Sequence, residues 1–229
     1  MEMIGMEKWG IIGIGKLGTA LAAQVQSQKI GVYHPNYEKA ESFTKNYPHT
    51  YALRKSELEK IDYLILSLPA QQISLFLKET NHLLKSTVLI NMATSLKTND
   101  LHLQFPNLTI ISMKFIGHSN ALRLYGNGLF VTAKQKAAHH VLRFFEEIGT
   151  VLDADESLVF EVNKTATTYA VEAAVEIEKN LQKQGYEDVL ITTALQSMVP
   201  EVIRSYVQGT LGHFAQNIVK EIKQKDKLF

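Results

Sequence analysis

The stretch WGIIGIGKLGTALAAQV, residues Trp9–Val25, decides the fold of this chain. Its glycines Gly13, Gly15 and Gly18 are spaced as G-x-G-x-x-G between an apolar run and a run of helical character. In the context of a strand followed by a helix, the first glycine permits a tight turn, the second lets the backbone approach a pyrophosphate, and the third lets helix and strand pack closely. The stretch therefore predicts a dinucleotide-binding βαβ unit. The alternative is that the glycines serve strand–helix packing alone.

The composition of the 229 residues indicates a globular protein. Hydrophobic residues make up 45% and charged residues 21% of the chain, which is enough to form one domain with an appendage. Lys and Arg total 24 against 23 Asp and Glu, and no dense basic block interrupts this balance. A nucleic-acid partner is therefore not expected.

The chain also lacks the features of a secreted or membrane protein. It contains no cysteine, which fits a reducing compartment. The opening segment MEMIGMEK is too short for a signal peptide, and no apolar run reaches the roughly 18 to 20 residues that span a bilayer. We therefore expect a cytoplasmic protein that makes no membrane contact.

Apolar segments rich in β-branched residues alternate with segments of helical periodicity over the first two thirds of the chain. The predicted strands are Trp9–Ile12, Ile30–His34, Thr50–Leu53, Tyr63–Leu68, Val88–Met92, Leu108–Met113, Leu129–Thr132 and Thr150–Asp153. The predicted helices are Lys16–Gln26, Tyr37–Asn46, Lys55–Lys60, Gln71–Leu84 and Lys134–Ile148. Strands that alternate with helices of this length form parallel βαβ units. We therefore predict an α/β Rossmann domain over residues 1–154, with a doubly wound, mainly parallel sheet.

The sequence changes character after about residue 154. Ser157–Gln184 is predicted to form one long helix, which Gly185 ends. A further helical stretch from about residue 187 to 198 is interrupted at Pro200, and a last helix runs to near the end of the chain. Residues 155–229 are thus expected to form a smaller all-helical domain for substrate binding or dimerisation. Because so few helices cannot enclose a core, their apolar faces predict packing on the first domain, on each other or on a second chain, and we expect a homodimer.

The segment VYHPNYEK, which follows the second predicted strand, bears on the choice of cofactor. An NAD site usually places an acidic residue about 20 positions beyond the glycines, where it holds the adenosine ribose. Here that place holds His34, Pro35 and Asn36, and the first acid, Glu38, falls inside the next predicted helix. His34, Asn36 and Lys39 offer donors to a 2′-phosphate, which favours NADP and leaves NAD possible. The alternative is a plain strand-to-helix turn.

By these motifs the chain resembles the pyrroline-5-carboxylate reductase family, within the larger group of Rossmann reductases that includes the β-hydroxyacid dehydrogenases. GIIGIGKLGTALA is similar to the family's glycine loop, VYHPNYEKAESF to its second strand and helix, LILSLPAQQI to the strand end beside the nicotinamide, and VLINMATSL to the next strand end. The resemblance implies an NAD(P)-binding Rossmann fold. The residues that it assigns to the cofactor are Gly13, Gly15, Lys16, Leu17, Gly18, His34, Asn36, Ser67, Leu68, Pro69, Ala93 and Thr94.

The chain departs from this family where the substrate would bind. The family's Met-Pro-Asn-Thr segment corresponds to Met113–Ile116, so the proline and the asparagine are absent. Its Gly-Ser-Gly-Pro-Ala-Tyr segment corresponds to Lys164–Tyr169, and its late threonine-rich loop has no counterpart. The resemblance therefore implies a retained cofactor site and an altered substrate site.

Three residues of the long predicted helix are catalytic candidates. Thr165 keeps the family's hydroxyl and Tyr169 keeps its ring. Lys164 replaces a glycine, and a lysine in this part of the fold is a general acid/base in the β-hydroxyacid dehydrogenases. A partly desolvated lysine can protonate a carbonyl oxygen as hydride reaches the carbon. The alternative is an exposed lysine near a helix start.

A second candidate is the segment MKFIGHSNALRLYGNG, residues 113–128. Lys114, His118, Ser119 and Asn120 follow a predicted strand end and are expected in a polar loop that binds a carboxylate or a carbonyl oxygen. His118 is also able to exchange a proton near neutral pH. The alternative is that a polar loop closing over a cofactor carries these residues for solubility alone. The pair His139-His140 lies in a predicted helix with its side chains about 100° apart, so we expect no metal site there.

Two functions from different classes remain at this point. In the first, the chain is an NAD(P)-dependent oxidoreductase that transfers hydride to a small imine or carbonyl substrate. In the second, the dinucleotide site survives in a catalytically decayed sensor or regulatory dimer. The two are distinguished by whether polar groups converge beside the nicotinamide or Phe115 and its neighbours fill that space.

Overall fold

The computed structural model describes residues 7–225, so the first six residues of the opening segment lie outside it. The described chain separates into two compact units, which divide between Lys164 and Thr165 within one long helix. The domain boundary expected after residue 154 stays a prediction. Each unit is described by itself below.

The first unit contains two sheets. The strands of the larger sheet are β1 Trp9–Ile12, β2 Ile30–Tyr33, β3 Thr50–Leu53, β4 Tyr63–Leu66, β5 Val88–Asn91 and β6 Thr109–Ser112. They lie in the order β3-β2-β1-β4-β5-β6, and all neighbours are parallel. The smaller sheet consists of β7 Lys114–Ile116, β8 Gly128–Thr132 and β9 Gly149–Asp153, in which β8 pairs antiparallel with β7 and parallel with β9.

Six α-helices belong to the described part of the first unit before the long helix begins. They are α1 Lys16–Gln24, α2 Tyr37–Thr44, α3 Ala70–Thr80, α4 Thr98–Gln104, α5 Ser119–Tyr125 and α6 His139–Glu146. Single 3₁₀ turns cover Lys55–Lys60, Asn81–Leu83 and Lys134–Lys136. The strand order and the alternating helices confirm the predicted Rossmann fold. The helix predicted at Lys55–Lys60 is present as a 3₁₀ helix with the same bounds.

Alternate residues of the central strands enter two apolar clusters. Ile11 and Ile65 belong to one cluster, whereas Ile12 and Leu66 belong to the other. Because successive side chains of a strand point to opposite faces, apolar layers cover the large sheet on both sides. In the first cluster the Trp9 ring is stacked between Phe144, with centroids 3.9 Å apart, and Tyr63, at 4.7 Å.

The long helix and the second unit contain the remaining elements. They are α7 Ser157–Lys183, α8 Asp188–Thr193, one π-helical turn Ala194–Met198, α9 Val199–Gln208 and α10 His213–Lys225. Gly185 has φ +79° just beyond α7, as expected for the residue that ends a helix. Pro200 lies in the first turn of α9, where no backbone N–H is required, so a new helix begins at the predicted interruption. The single last helix predicted beyond it is two helices, α9 and α10, because α9 ends at Gly209, which has φ +70°.

Large apolar side chains of the second unit are exposed. Val207 and Phe214 have 80% and 82% of their surface accessible. Among residues 7–225, no helix combines the length and the apolar character needed to cross a membrane.

Candidate functional site

The glycine loop joins β1 to α1 in a turn that tolerates no side chain at two positions. Gly13 has φ +96°, and a Cβ atom there would collide with the backbone carbonyl of Ser67. A Cβ atom at Gly18 would collide with the carbonyl oxygen of Gly13. These two glycines are therefore needed for the turn and for the close packing of helix and strand.

The second glycine of the loop has a different role. A Cβ atom at Gly15 would meet no atom within 4 Å, so the fold itself does not require glycine there. Gly15 is the N-cap residue of α1, no side chain caps this helix end, and its first turn contains no acidic residue. An uncapped helix N-terminus beside open space is the arrangement that binds phosphate.

A cavity of about 300 Å³, here called the His34 cavity, lies beyond the carboxyl end of β2. His34, Pro35, Leu68, Gln72, Phe76 and Glu79 are among the residues that line it. The Asn36 backbone N–H donates to His34 Nδ1 at 3.0 Å, which holds the imidazole against the turn. Asn36 caps α2, since its Oδ1 accepts from the Lys39 backbone N–H at 3.2 Å.

Sequence reasoning missed Glu79 as a carboxylate of this site. Glu79 lies near the end of α3, about 40 positions beyond the usual acidic position, and Lys55 Nζ is 3.9 Å from its Oε2 atom. Burial raises the pKa of Tyr33, which lines the same cavity, and the negative charge of Glu79 raises it further. Only the packing of α3 beside β2 brings this acid to the cavity.

A second cavity, about 570 Å³ and here called the Arg123 cavity, adjoins the glycine loop. Its lining combines Gly15, Lys16 and Thr19 with the segment that starts α5. From that segment come His118, Ser119, Asn120 and Arg123, so Lys16 and Arg123 give the lining two positive charges and no carboxylate. His118 caps α5 by accepting from the Asn120 backbone N–H at 3.3 Å.

A third cavity, about 360 Å³, is here called the Lys114 cavity. It is lined on one side by Thr94, Ser95, Leu96 and Lys97, which follow β5. Glu156, Ser157, Phe160 and Glu161, at the start of α7, line the other side.

Lys114 is not in the polar loop predicted for it. It belongs to β7 and is only 1% exposed. Its Nζ donates to the carbonyl oxygens of Ala93 at 2.6 Å and Leu96 at 2.8 Å, and lies 3.3 Å from Glu156 Oε2. Burial lowers the pKa of Lys114 to about 8, although Glu156 favours the charged form. Its position between Met113 and Phe115 was the sequence signal for burial.

The catalytic candidates of α7 fall on both sides of the unit division. Lys164 is exposed, and its Nζ lies 5.9 Å from the ring centroid of Phe160, which lines the Lys114 cavity. Asn163 donates from Nδ2 to the Phe115 carbonyl oxygen at 3.0 Å. Thr165 and Tyr169 belong to the second unit and are exposed. The structure thus sets Lys164 beside the Lys114 cavity and His118 in the Arg123 cavity.

Leu17, the second residue of α1, packs against the first apolar cluster. The other predicted cofactor residues lie at the carboxyl ends of β4 and β5. The Ser67 N–H donates to the Ile12 carbonyl oxygen at 2.8 Å, Leu68 lines the His34 cavity, and Pro69 is the N-cap residue of α3. The Ala93 N–H donates to Asn91 Oδ1 at 3.1 Å, and Thr94 lines the Lys114 cavity. These strand ends lie at the edge where open α/β sheets bind ligands.

His140 of the His139-His140 pair contacts two side chains of the first unit. The His140 ring is hydrogen-bonded to the Tyr63 hydroxyl, and its Nδ1 lies 3.5 Å from Glu7 Oε1. No group of three or more potential metal ligands occurs within residues 7–225.

Comparison with known sequences gives one family match. The sequence model of the family described as NADP oxidoreductase coenzyme F420-dependent matches residues 8–95, which is less than half of the chain. This range contains the glycine loop, the His34 turn and the strand ends of β4 and β5. No curated protein sequence matches the chain.

Solved structures of low sequence identity share the fold. A pyrroline-5-carboxylate reductase from Streptococcus pyogenes has a TM-score of 0.69 at 17% identity, with 96% of this chain and 91% of that chain covered. An imine reductase from Streptomyces aurantiacus has a TM-score of 0.67 at 14% identity, with coverages of 95% and 78%. A Plasmodium falciparum pyrroline carboxylate reductase with NADP bound has a TM-score of 0.63 at 15% identity, with coverages of 95% and 84%. The chain therefore has a Rossmann fold followed by C-terminal helices.

Proposed function

We propose that this protein is an NAD(P)-dependent oxidoreductase, similar to the pyrroline-5-carboxylate reductases, that transfers hydride to a small carbonyl or imine substrate. The observation that carries the proposal is the open space at Gly15 in front of the uncapped N-terminus of α1. The family match over residues 8–95 and the NADP-bound Plasmodium relative support the same reading. When bound, the nicotinamide ring would supply or accept the hydride.

The arrangement of the strand ends indicates how a dinucleotide would lie on this unit. Its adenosine half fits the His34 cavity at β2, and its pyrophosphate fits the Gly15 turn at β1. Its nicotinamide half would then reach the ends of β4 and β5, where Ser67 and Ala93 lie. The Lys114 cavity begins at the next residue, Thr94, and is our proposed substrate site.

The proposed cofactor is NADP, because the turn after β2 carries His34 and Asn36 in place of an acid. Relatives crystallised with NADP or NADPH agree with this choice. Glu79 favours the alternative, since a carboxylate in the His34 cavity is able to accept hydrogen bonds from the ribose hydroxyls of NAD. Its ion pair with Lys55 partly neutralises it.

The polar lining of the Lys114 cavity favours an enzyme over a decayed sensor. Hydroxyl, ammonium and carboxylate groups converge there. Phe115, the residue that would fill a decayed site, is instead in the core, where its ring centroid is 5.6 Å from that of Phe130.

Lys164 is the proposed proton donor of the reaction. As hydride reaches the carbonyl carbon, the π electrons of the C=O bond move to oxygen, and the Lys164 ammonium gives that oxygen a proton. The positive charge also stabilises the developing alkoxide. Thr165 and Tyr169 stay proposed catalytic residues, whereas His118 lines the Arg123 cavity and is not proposed as a contact in the Lys114 cavity.

Turnover of NADPH against a panel of substrates tests this function. We expect oxidation of NADPH with small keto or semialdehyde acids and poor turnover of pyrroline-5-carboxylate, because the family's asparagine and glycine-lined approach are absent. Lys164→Ala should lower kcat for the carbonyl substrate about a hundredfold, the usual effect of removing a general acid. Lys179→Ala, an exposed lysine on the same helix, is the matched control. Efficient imine turnover that survives Lys164→Ala would contradict the preference for a carbonyl substrate and the role of Lys164. Tight NADPH binding without turnover of any substrate would favour the sensor.

We also propose that the protein is a cytoplasmic homodimer that forms through the C-terminal helices. The described part of α9 and α10 contains no buried residue, and large apolar side chains such as Tyr206, Val207 and Phe214 are exposed there. Exposed apolar side chains at helical spacing are typical of an interface. We propose a second copy of the same chain as the partner, because a two-fold symmetric dimer buries the same surface of both chains.

A further inference from the structure

The buried Lys114 and the partly buried Glu156, whose side chains are 1% and 17% exposed, form an ion pair behind the β5–α4 loop, residues 92–97. Lys114 reaches this loop from β7, and Glu156 reaches it from the residue before α7. The ammonium group bonds the Ala93 and Leu96 carbonyl oxygens, so it connects the beginning of the loop to its end. With Glu156 as its third partner, Lys114 has no N–H left for a ligand.

Glu156 holds the other end of the loop. Its Oε1 accepts from the Thr98 backbone N–H and its Oε2 from the Thr98 hydroxyl, both at 2.7 Å. The carboxylate therefore supplies the first turn of α4 with the cap that Lys97, its N-cap residue, does not provide. Asn91 completes the support, because its Nδ2 donates to the Leu96 carbonyl oxygen at 2.9 Å and to Thr98 Oγ1 at 3.0 Å.

We propose that Lys114 and Glu156 are positioning residues that hold the β5–α4 loop in the shape that receives the nicotinamide half of the cofactor. The inference rests on the proposed function. The hydrogen bonds of the pair support it. Their partners are Ala93, Leu96 and Thr98, which lie in or beside the β5–α4 loop, and none of them lies in the glycine loop or the His34 cavity. The two halves of the dinucleotide site should consequently respond differently when the pair is broken.

Two variants break the pair in different ways. Lys114→Met keeps an unbranched side chain in β7 but removes the donors to the two loop carbonyls and leaves the Glu156 charge without its cation. Glu156→Gln keeps the shape of the side chain and removes the countercharge of Lys114. An uncompensated buried charge is strongly unfavourable, so the surrounding loop should rearrange in both variants.

The experiment compares two probes by calorimetry. NADPH reaches both halves of the proposed site, whereas 2′-phospho-ADP lacks the nicotinamide half. In both variants we expect the affinity for NADPH to fall by roughly tenfold or more, the size of effect usual for a lost charged hydrogen bond, while the affinity for 2′-phospho-ADP stays within about twofold. Lys85→Met, which removes an exposed lysine of the first unit that lines none of the three cavities, should change neither affinity.

The outcomes separate this inference from the proposed function. If the unsubstituted protein binds neither probe, the cofactor site itself is wrong. Suppose that the unsubstituted protein binds both probes. The positioning role is then overturned if a folded variant loses affinity for NADPH and 2′-phospho-ADP equally, or if it keeps its affinity for both. Should Lys114→Met fail to fold, as judged by its thermal transition, the near-isosteric Glu156→Gln decides between these results.

Discussion

At the scale of single residues, the three glycines of the loop differ in why a glycine is needed: two are required by the fold, and the third is explained by a bound ligand. Gly13 and Gly18 are required by backbone contacts, whereas Gly15 faces open space with an ordinary φ of −74°. A residue that the fold does not need, next to free helix N–H groups, is expected where a ligand occupies the space.

Gly15→Val should therefore leave the fold intact and weaken NADP(H) binding. The added side chain would occupy the place of the pyrophosphate, and the loss of its charge-assisted hydrogen bonds predicts a decrease on the order of a hundredfold in affinity. Calorimetry and thermal denaturation measure the two properties separately. Gly212→Val is the control, because Gly212 also has no neighbour within 4 Å of a Cβ position. Equal affinity in Gly15→Val and the parent would remove the dinucleotide from this loop.

The lowered pKa of Lys114 predicts how the free energy of unfolding depends on pH. Burial lowers its pKa in the folded protein to about 8, whereas in the unfolded chain it returns to the ordinary value of 10.5. Between these pH values the unfolded chain binds a proton that the folded chain has released, so the contribution of Lys114 to the free energy of unfolding rises with pH. Urea denaturation of the parent and Lys114→Met from pH 7 to 10.5 should show the parent gaining stability relative to the variant, by roughly 3 kcal/mol at most. A difference that is independent of pH would contradict the lowered pKa.

At the scale of elements, the turn between β2 and α2 allows a test of cofactor choice that spares the helix. Asn36 caps α2 through its Oδ1 atom, and aspartate is an equally good cap residue. A change from Asn36 to Asp therefore adds a negative charge beside His34 without removing the hydrogen bond to Lys39.

Asn36→Asp should shift the preference from NADP toward NAD by about tenfold, because a carboxylate repels the 2′-phosphate. Asn36→Ser keeps a capping oxygen without the charge and should leave the preference unchanged. The ratio of the dissociation constants for the two cofactors measures the effect. Tighter binding of NAD by the unsubstituted protein would show that Glu79, and not the missing acid after β2, decides the selectivity.

Elements also differ in how well the sequence predicts them. All eight predicted strands are present. The central strands β1, β2, β4 and β5 are apolar runs that the sheet buries on both faces, whereas β3 and β9 are more exposed. Missed elements are β7, α4 and α5, which have three to seven residues and too few turns for a periodic pattern. The buried lysine at the start of β7 also made this segment resemble a polar loop in the sequence.

The site was predictable where it depends on local sequence. The glycine turn and the His34 turn are contiguous motifs, and their placement at the sheet edge follows from the fold. The Lys114–Glu156 pair joins residues far apart in the chain, and Glu79 reaches the His34 cavity only through the packing of α3. No pattern in a single sequence encodes such distant pairings.

At the scale of the whole molecule, the exposed apolar side chains of the second unit predict self-association. Val207→Glu combined with Phe214→Glu places charges at side chains that are 80% and 82% exposed. We expect sedimentation equilibrium to give a dimer for the parent and a monomer for this variant, since charge disfavours burial in an interface. Leu103→Glu, at a 76% exposed position of the first unit, should remain dimeric. A parent that is monomeric at micromolar concentration would contradict the proposal.

The stack of Trp9 between Tyr63 and Phe144 has a practical consequence. Trp9 is the one tryptophan of the sequence, it is 1% exposed, and it lies in the strand that leads into the glycine turn. Selective excitation of indole fluorescence therefore observes the Rossmann unit and is silent about the helical unit. Its emission also overlaps the absorption of reduced nicotinamide, so energy transfer from Trp9 would provide an unlabelled optical titration of NADPH binding.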